Sequence, residues 1–133
     1  MLRGVRRQEQ RSLTPLELDI MDALWTIGSG TVQTVRDRLG RRRPLAYNTV
    51  QTVLTILHRK GRVKRKLVGK AFVYEPKLTK QQAAAAMIRG LIDRVFGGSP
   101  AELVMAMLQD EQIRGEDLRR IRRLIRQHED DFR

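Results

Sequence analysis

Residues 46–66 (AYNTVQTVLTILHRKGRVKRK) constrain the fold more than any other part of the chain, because they carry two stripes at helical spacing. One stripe is apolar, recurs at i, i+3, i+4 and i+7, and predicts a helix face that packs on a core: Val50, Val53, Leu54 and Leu57. The opposite stripe is polar: Asn48, Thr52, Thr55 and Arg59. Because threonine is a poor helix former, we interpret the polar stripe as a surface that contacts a partner.

Positive charge is concentrated around the same segment. The chain carries 27 Lys and Arg against 15 Asp and Glu, a net charge of +12. Residues 1–76 hold 16 of these cations and six of the acids, and residues 36–70 hold 12 cations and one acid, Asp37. Such a cluster favours a polyanion, either nucleic acid or an anionic membrane surface, over a basic surface kept only for solubility.

The flanking elements complete the pattern of a winged helix-turn-helix. Residues 14–17 form a capped helix start, and residues 33–39 predict a second short helix. After Gly61 the period of the apolar residues changes from helical to alternating, which predicts a β-hairpin with a basic tip over residues 63–74. In such a module the third helix enters the major groove and the hairpin, or wing, lies along the backbone.

The rest of the chain predicts three amphipathic helices that cannot close a core by themselves. Capped starts occur at Thr79 and Ser99, and a last helix is expected near residues 116–130. Because about 55 residues with narrow apolar stripes bury too little surface, we expect these helices to pair with those of a second copy of the chain. The side chains expected at that interface are Ile88, Leu91, Ile92, Val95, Leu103, Val104, Met107, Leu108, Leu118, Ile121, Leu124 and Ile125.

The predicted fold class is therefore mainly α with a small β-hairpin. We expect a flexible basic arm over residues 1–12, a winged-helix DNA-binding domain over 13–76 and a helical dimerisation domain over 77–133. No apolar run approaches the roughly 18 residues of a membrane span, and residues 1–11 lack the apolar stretch of a signal peptide. These features predict a cytosolic protein.

The sequence offers no arrangement of residues for catalysis or metal binding. There is no cysteine, and His58 and His128 lie far apart in the sequence. The three serines, Ser12, Ser29 and Ser99, occupy predicted caps or turns. We therefore expect no enzymatic activity, no metal and no cofactor.

Four pieces of the sequence occur in the order found in a known family. They are LTPLELDIMDALW (13–25), TVQTVLTILHRKG (49–61), GKAFVYEP (69–76) and LVMAMLQDEQIRGEDL (103–118). With them the chain resembles the penicillinase repressors of the BlaI/MecI type over residues 13–131. The resemblance implies a bacterial dimeric repressor that binds inverted repeats in the promoters of resistance or stress operons.

The resemblance also implies roles for particular residues. In that family the start of the third helix reads bases, which corresponds to Asn48, Thr49 and Thr52 here; a lysine is frequent at the position of Asn48, so a different base preference is expected. A protease linked to a membrane sensor cleaves an Asn-Phe bond in the penicillinase repressors, and the corresponding position here is Ala106-Met107. We therefore do not expect derepression by that protease. Copper-responsive relatives use a cysteine-rich tail that this chain lacks.

Together these observations predict a sequence-specific transcriptional repressor that binds a double-stranded inverted-repeat operator as a homodimer. Asn48, Thr49 and Thr52 are expected to read base edges. The residues expected on the DNA backbone are Arg41, Arg42, Arg43, Thr55, Arg59, Lys64, Arg65, Lys66 and Lys70. Two alternatives are an architectural protein that binds DNA without reading sequence and a winged helix that docks on another protein. The first leaves the polar stripe unexplained, and the second leaves the charge unexplained.

Overall fold

The computed structural model describes residues 12–131. These residues form six helices and one antiparallel two-stranded sheet, which confirms the predicted fold class. In chain order the elements are α1 (Pro15–Ile27), α2 (Val32–Leu39), α3 (Tyr47–Arg59), β1 (Val63–Val68), β2 (Ala71–Pro76), α4 (Lys80–Val95), α5 (Pro100–Leu108) and α6 (Gly115–Asp131). None of the helices in this part of the chain is long and apolar enough to cross a membrane.

The apolar stripe of α3 packs into the core of the winged-helix region. Its four side chains, Val50, Val53, Leu54 and Leu57, are all buried, as the spacing predicted. They contribute to a core made with α1, α2 and the base of the hairpin, whose other large members are Ile20, Met21, Leu24, Val35, Val63 and Tyr74. Because one face of α3 is committed to this core, its opposite face is left for solvent or a partner.

The hairpin is anchored at its base and extends beyond the core at its tip. β1 and β2 pair in register from Val63 opposite Pro76 to Val68 opposite Ala71. Gly69 adopts a φ of +64° in the two-residue turn, a conformation that glycine adopts without a steric cost. The backbone of Tyr74 also forms two hydrogen bonds with that of Gly30, of 2.8 and 2.9 Å, and these fix the hairpin to the segment between α1 and α2.

The helix starts predicted from capping residues are present. The hydroxyl of Thr14 accepts a hydrogen bond from the Glu17 N–H, and the Glu17 carboxylate accepts one from the Thr14 N–H. Thr79 and Gln82 form the same reciprocal pair at the start of α4. Ser99 accepts a bond from the Glu102 N–H at the start of α5. These bonds satisfy amide donors that a helix leaves unpaired in its first turn.

By its internal contacts the chain divides into two compact units, one ending at Gly90 and one beginning at Leu91. The first unit contains the winged helix and the first part of α4, whose Ala83 is buried in the same core. Within that unit the indole N–H of Trp25 donates to the Leu78 carbonyl at 3.0 Å, which fixes the segment leading into α4. The second unit contains the end of α4, α5 and α6.

Candidate nucleic-acid interface

Helix α3 presents its polar stripe at the surface. Asn48, Thr52, Thr55 and Arg59 are exposed, whereas Thr49 is half-buried. The Thr55 hydroxyl donates to the Gln51 carbonyl at 2.9 Å and keeps its lone pairs for an outside donor. No side chain caps the start of α3 at Ala46, so the first amides of this helix have no side-chain acceptor. Hydrogen-bonding side chains with both donors and acceptors are the kind that read base edges.

Two exposed residues near this stripe were not singled out by the sequence reasoning. Gln51 lies about 60° around the helix from Asn48, given 100° per residue, and its side chain is exposed. Tyr47, the first residue of α3, is 43% exposed although it is aromatic. Helical spacing alone could have placed Gln51 on the same face as Asn48 and Thr52, because all three lie on the side opposite the buried stripe.

The loop between α2 and α3 supplies three consecutive arginines, Arg41, Arg42 and Arg43, all of them exposed. The loop is held from α2, since the Arg36 guanidinium donates to the Leu45 carbonyl at 2.9 Å. Arg43 differs from the other two because its Nε lies 3.1 Å from a carboxylate oxygen of Asp19 on α1. A phosphate must therefore compete with Asp19 for this guanidinium.

Replacing Asp19 with asparagine is expected to tighten DNA binding by up to about fivefold, equally for all sequences, because an exposed ion pair is worth roughly 0.2–1 kcal/mol. The substitution frees Arg43 for a phosphate and removes a nearby negative charge. Fluorescence anisotropy on two unrelated duplexes at low salt measures the change. Asp22→Asn is the matched control. Asp22 lines the same surface cavity of about 760 Å³ as Asp19 and Arg43, but no ion pair joins Asp22 to Arg43. An equal gain in both variants would assign the effect to net charge alone.

The hairpin carries the remaining predicted backbone contacts. Lys66 and Lys70 are exposed. Lys64 is also exposed, but its ammonium group lies 3.0 Å from the Glu75 carboxylate on the neighbouring strand. The Arg65 guanidinium lies over the ring of Phe72, 4.2 Å from its centroid. On the wing, Lys64 is therefore paired with an acid and Arg65 lies against an aromatic ring. Lys66 and Lys70 form no ion pair within residues 12–131.

A buried carboxylate fastens the end of α3 to the start of α1. Glu17 is only 4% exposed, although it is a charged residue in the first turn of α1. One of its oxygens accepts the Thr14 N–H at 2.9 Å, and the other lies 3.0 Å from the Lys60 ammonium group. Burial raises the pKa of Glu17, but the bonds from Thr14 and Lys60 outweigh it, so the pKa lies below its ordinary value.

The apolar side chains expected to form a dimer interface are largely accessible. Ile88, Leu91, Val95, Val104, Leu108, Leu124 and Ile125 are between 43% and 64% exposed. Leu103, Met107, Leu118 and Ile121 are half-buried. Ile92 differs, because it is buried within its own chain, and Met105, which the stripe did not include, is 53% exposed.

The remaining candidate residues of the sequence analysis are found at the following places. Within residues 12–131 no group of three or more His, Cys, Asp or Glu side chains could hold a metal ion. His58 is half-buried in α3. Ala106 and Met107, at the position where the resemblance placed a regulatory cleavage, lie inside α5, with Ala106 exposed. The predicted arm over residues 1–12 falls outside the described residues except for Ser12.

Comparison with known proteins identifies relatives over most of the chain. The sequence model of the family described as "Penicillinase repressor" matches residues 13–127. The penicillinase repressor of Bacillus licheniformis is 23% identical over 116 residues, which cover 87% of this chain and 91% of that protein. The methicillin resistance regulatory protein MecI of Staphylococcus aureus (strain N315) is 19% identical over 113 residues, covering 85% and 92%.

One solved structure resembles the fold over nearly its whole length. It is described as the complex structure of hsRosR-S4 and matches with a TM-score of 0.55 at 13% identity. The match covers 96% of this chain and 98% of that one. At this identity the likeness concerns the fold alone.

Proposed function

Because the chain belongs to the penicillinase repressor family, we propose that it represses transcription as a homodimer bound to an inverted-repeat operator. Membership of the family makes the chain a DNA-binding transcriptional repressor and not an enzyme; the dimer and the form of the operator are the proposal. The observation that carries it is the exposed polar stripe of α3. In the sequence, α3 is preceded by the arginine loop and followed by the basic wing, and all three belong to one compact unit. Repression would follow from occlusion of the promoter.

The contacts divide into those that position the protein and those that read sequence. In the proposal, Asn48, Thr49 and Thr52 read base edges in the major groove, with Gln51 as a further candidate. The proposal is supported by the exposure of Asn48, Gln51 and Thr52 on the side of α3 that faces away from the core. Thr49 is half-buried, so it can offer only a smaller contact surface. The groups proposed for phosphate are Arg41, Arg42, Arg43, Thr55, Arg59, Lys64, Arg65, Lys66 and Lys70. Among these, Lys66, Lys70, Arg41 and Arg42 have the best support, because they are exposed and form no ion pair within residues 12–131.

Thr52→Ala is expected to weaken binding to the operator by about 1–3 kcal/mol and to leave binding to random DNA nearly unchanged. The hydroxyl of Thr52 is exposed and serves no hydrogen bond within the described residues, so its loss costs the fold little. Lys66→Ala is the control, because loss of a phosphate contact should weaken binding to both duplexes alike. Titration of the wild type and of each variant with both duplexes gives the loss of affinity on the operator and on random DNA. Equal losses on both duplexes from Thr52→Ala would remove this residue from the set that reads bases.

A dimer explains the apolar surface of the second unit. In its residues 91–131, Ile92 is the only buried hydrophobic side chain, whereas six large apolar side chains are more than 50% exposed: Val95, Val104, Met105, Leu108, Leu124 and Ile125. Exposed apolar surface of this density is unusual in a monomer and typical of an interaction site. A two-fold dimer presents two α3 helices to two half-sites at a fixed spacing, which is why we propose an inverted repeat.

The bond that corresponds to the regulatory cleavage site bears on how repression is released. The Ala106-Met107 bond lies inside α5 and lacks the Asn-Phe residues of the bond cleaved in the penicillinase repressors. We therefore propose that repression is not relieved by the membrane-sensor-linked protease at this bond. Since its ligand is operator DNA, we also propose that the protein acts in the bacterial cytoplasm.

The decisive experiment compares binding to the DNA upstream of the protein's own gene with binding to a scrambled duplex of equal length. At about 150 mM salt, near physiological ionic strength, a specific repressor is expected to prefer its operator by about 10³-fold or more. If the two duplexes bind equally, selection from random duplexes with the full chain identifies an operator elsewhere. A selection that enriches no sequence would contradict specific repression and favour the architectural alternative.

A further inference from the structure

The tip of the wing exposes more apolar surface than a phosphate clamp requires. Leu67 is 62% exposed, Val68 53% and Phe72 40%. Leu67 lies opposite Phe72 in the register and Val68 opposite Ala71, so these side chains occupy the last two cross-strand pairs before the turn. Lysine or threonine at the same positions would suit a strand whose only task is to lie along phosphates. The tip is therefore shaped for a ligand that is both anionic and partly apolar.

Arg65 lies opposite Tyr74, two positions before Leu67, and its guanidinium is held in a fixed orientation close to this tip. The Arg65 guanidinium lies 4.2 Å from the centroid of the Phe72 ring. That ring in turn lies 6.3 Å from the ring of Tyr74, which is buried and whose backbone is bonded to Gly30. Two rings, tilted by 58° to each other, thus connect the core to the guanidinium. Stacking on an aromatic face restricts a guanidinium before any ligand arrives, so less conformational freedom is lost on binding.

We propose that the wing tip enters the DNA minor groove beside each half-site, where Arg65, positioned by Phe72, senses the width of the groove. This inference rests on the proposed function, replaces the phosphate contact proposed there for Arg65 with a contact in the minor groove, and extends recognition to bases that α3 does not reach. The minor groove offers both properties that the tip requires. Its walls are the apolar faces of the sugars, and its rims carry the phosphates that Lys66 and Lys70 can approach. Apolar side chains and arginine are the residues that proteins use in this groove.

The place of the wing in the fold favours DNA over other anionic surfaces. The base of the hairpin shares its core with α3, through Val63 and Tyr74 on one side and Leu54 and Leu57 on the other. A wing fixed in the same compact unit as the polar stripe of α3 meets the same ligand as that stripe. An anionic membrane would leave the hydrogen-bonding groups of Asn48 and Thr52 without a use.

A groove sensor of this kind has a defined preference. A-tracts have a narrow minor groove with an enhanced negative potential that attracts arginine. The 2-amino group of guanine, in contrast, projects into the minor groove. We therefore expect a preference for A·T pairs in the flank beside each half-site, although no side chain of α3 contacts those pairs. Arg65 would then be a specificity residue and Phe72 a positioning residue.

The test uses the full chain and an operator obtained by selection from random duplexes. Three duplexes share the selected half-sites and differ only in the flanks, which carry A·T, G·C or inosine·C pairs. Inosine lacks the 2-amino group but presents the major-groove edge of guanine, so it separates the two grooves. The A·T and inosine·C flanks are expected to bind about tenfold more tightly than the G·C flank, which is the lower part of the range for one altered base pair.

Two variants test the residues, and one serves as control. Arg65→Lys keeps the charge but loses the planar group, and it is expected to reduce the flank preference to below about twofold, with little change on the G·C flank. Phe72→Leu keeps an apolar side chain, removes the ring and should reduce the preference in the same direction. Lys66→Ala should weaken binding to all three duplexes by the same factor. Thermal unfolding of each variant, unchanged from the wild type, establishes that the wing is intact.

The outcomes separate this inference from the proposed function. Equal binding to all three flanks, weak binding to the inosine·C flank, or a full preference retained in Arg65→Lys would each overturn the groove sensor while leaving specific repression in place. If selection yields no operator, the proposed function fails instead. A preference that Arg65→Lys and Phe72→Leu both lose, and that Lys66→Ala retains, would establish the assignment.

Discussion

Replacing Leu124 and Ile125 together with aspartate is expected to convert the proposed dimer to a monomer and to weaken binding to the complete operator by about 10²–10⁴-fold. Both side chains are 53% exposed on α6, and they border an apolar surface groove of about 540 Å³ on this helix. In a dimer, binding of one half-site brings the second α3 helix to a high local concentration at the other. Four charges buried in the interface would oppose association, because a buried unpaired charge is costly.

The measurement pairs light scattering at micromolar concentration with titration of a full operator and of a single half-site. The half-site affinity should stay unchanged, because the first unit is not altered. Gln127→Asp is the matched control, since it adds an acid to an exposed position of α6 away from the apolar stripe and should leave both properties at their wild-type values. A double variant that remains dimeric would place the interface elsewhere.

The features that the sequence predicted correctly are those encoded over short stretches. The starts of α1, α4 and α5 follow from a capping residue and its partner three positions later, for example Thr14 with Glu17. The buried stripe of α3 follows from spacing within thirteen residues. Turn glycine Gly69 determined where the hairpin reverses. In each case all the interacting groups lie within a few residues of one another, so no knowledge of the tertiary structure is needed.

The features that were missed depend on pairs distant in sequence. Lys60 meets Glu17 across 43 positions, and Arg43 meets Asp19 across α1 and the arginine loop. Charge counting assigned all these cations to solvent or DNA, because composition does not reveal which acid a cation will meet. The exposure of the candidate site was predictable to the extent that the site rests on one helix face. The distinction between paired cations and those available for DNA required the structure.

The pairing of Glu17 with Lys60 has the largest expected effect on stability. Glu17→Ala is expected to lower the free energy of unfolding by about 2.5–4 kcal/mol, since it removes the side-chain half of a capping box worth roughly 1 kcal/mol and a charge-assisted hydrogen bond worth about 1.5–3 kcal/mol. Glu17→Gln should cost less, because the amide oxygen can still accept the Thr14 N–H. Urea unfolding followed by circular dichroism measures both variants. Since Lys60 directly follows α3, the alanine variant should also loosen the end of α3.

The pH dependence distinguishes the charge of Glu17 from its packing. The pKa of Glu17 in the folded chain lies below its ordinary value of 4.5, so the folded state binds this proton less readily than the unfolded state. The charge therefore stabilises fully above the unfolded pKa, and this contribution is lost as the pH falls through the folded pKa. The stability difference between the wild type and Glu17→Gln should be constant from pH 5.5 to 8, a range that begins about one unit above the ordinary pKa of glutamate. The difference should shrink below pH 4.5, where Glu17 becomes protonated in the unfolded chain. A difference that stays constant down to pH 3, about one unit below the usual glutamate value, would mean that packing and not the Lys60 ion pair holds this end of α3.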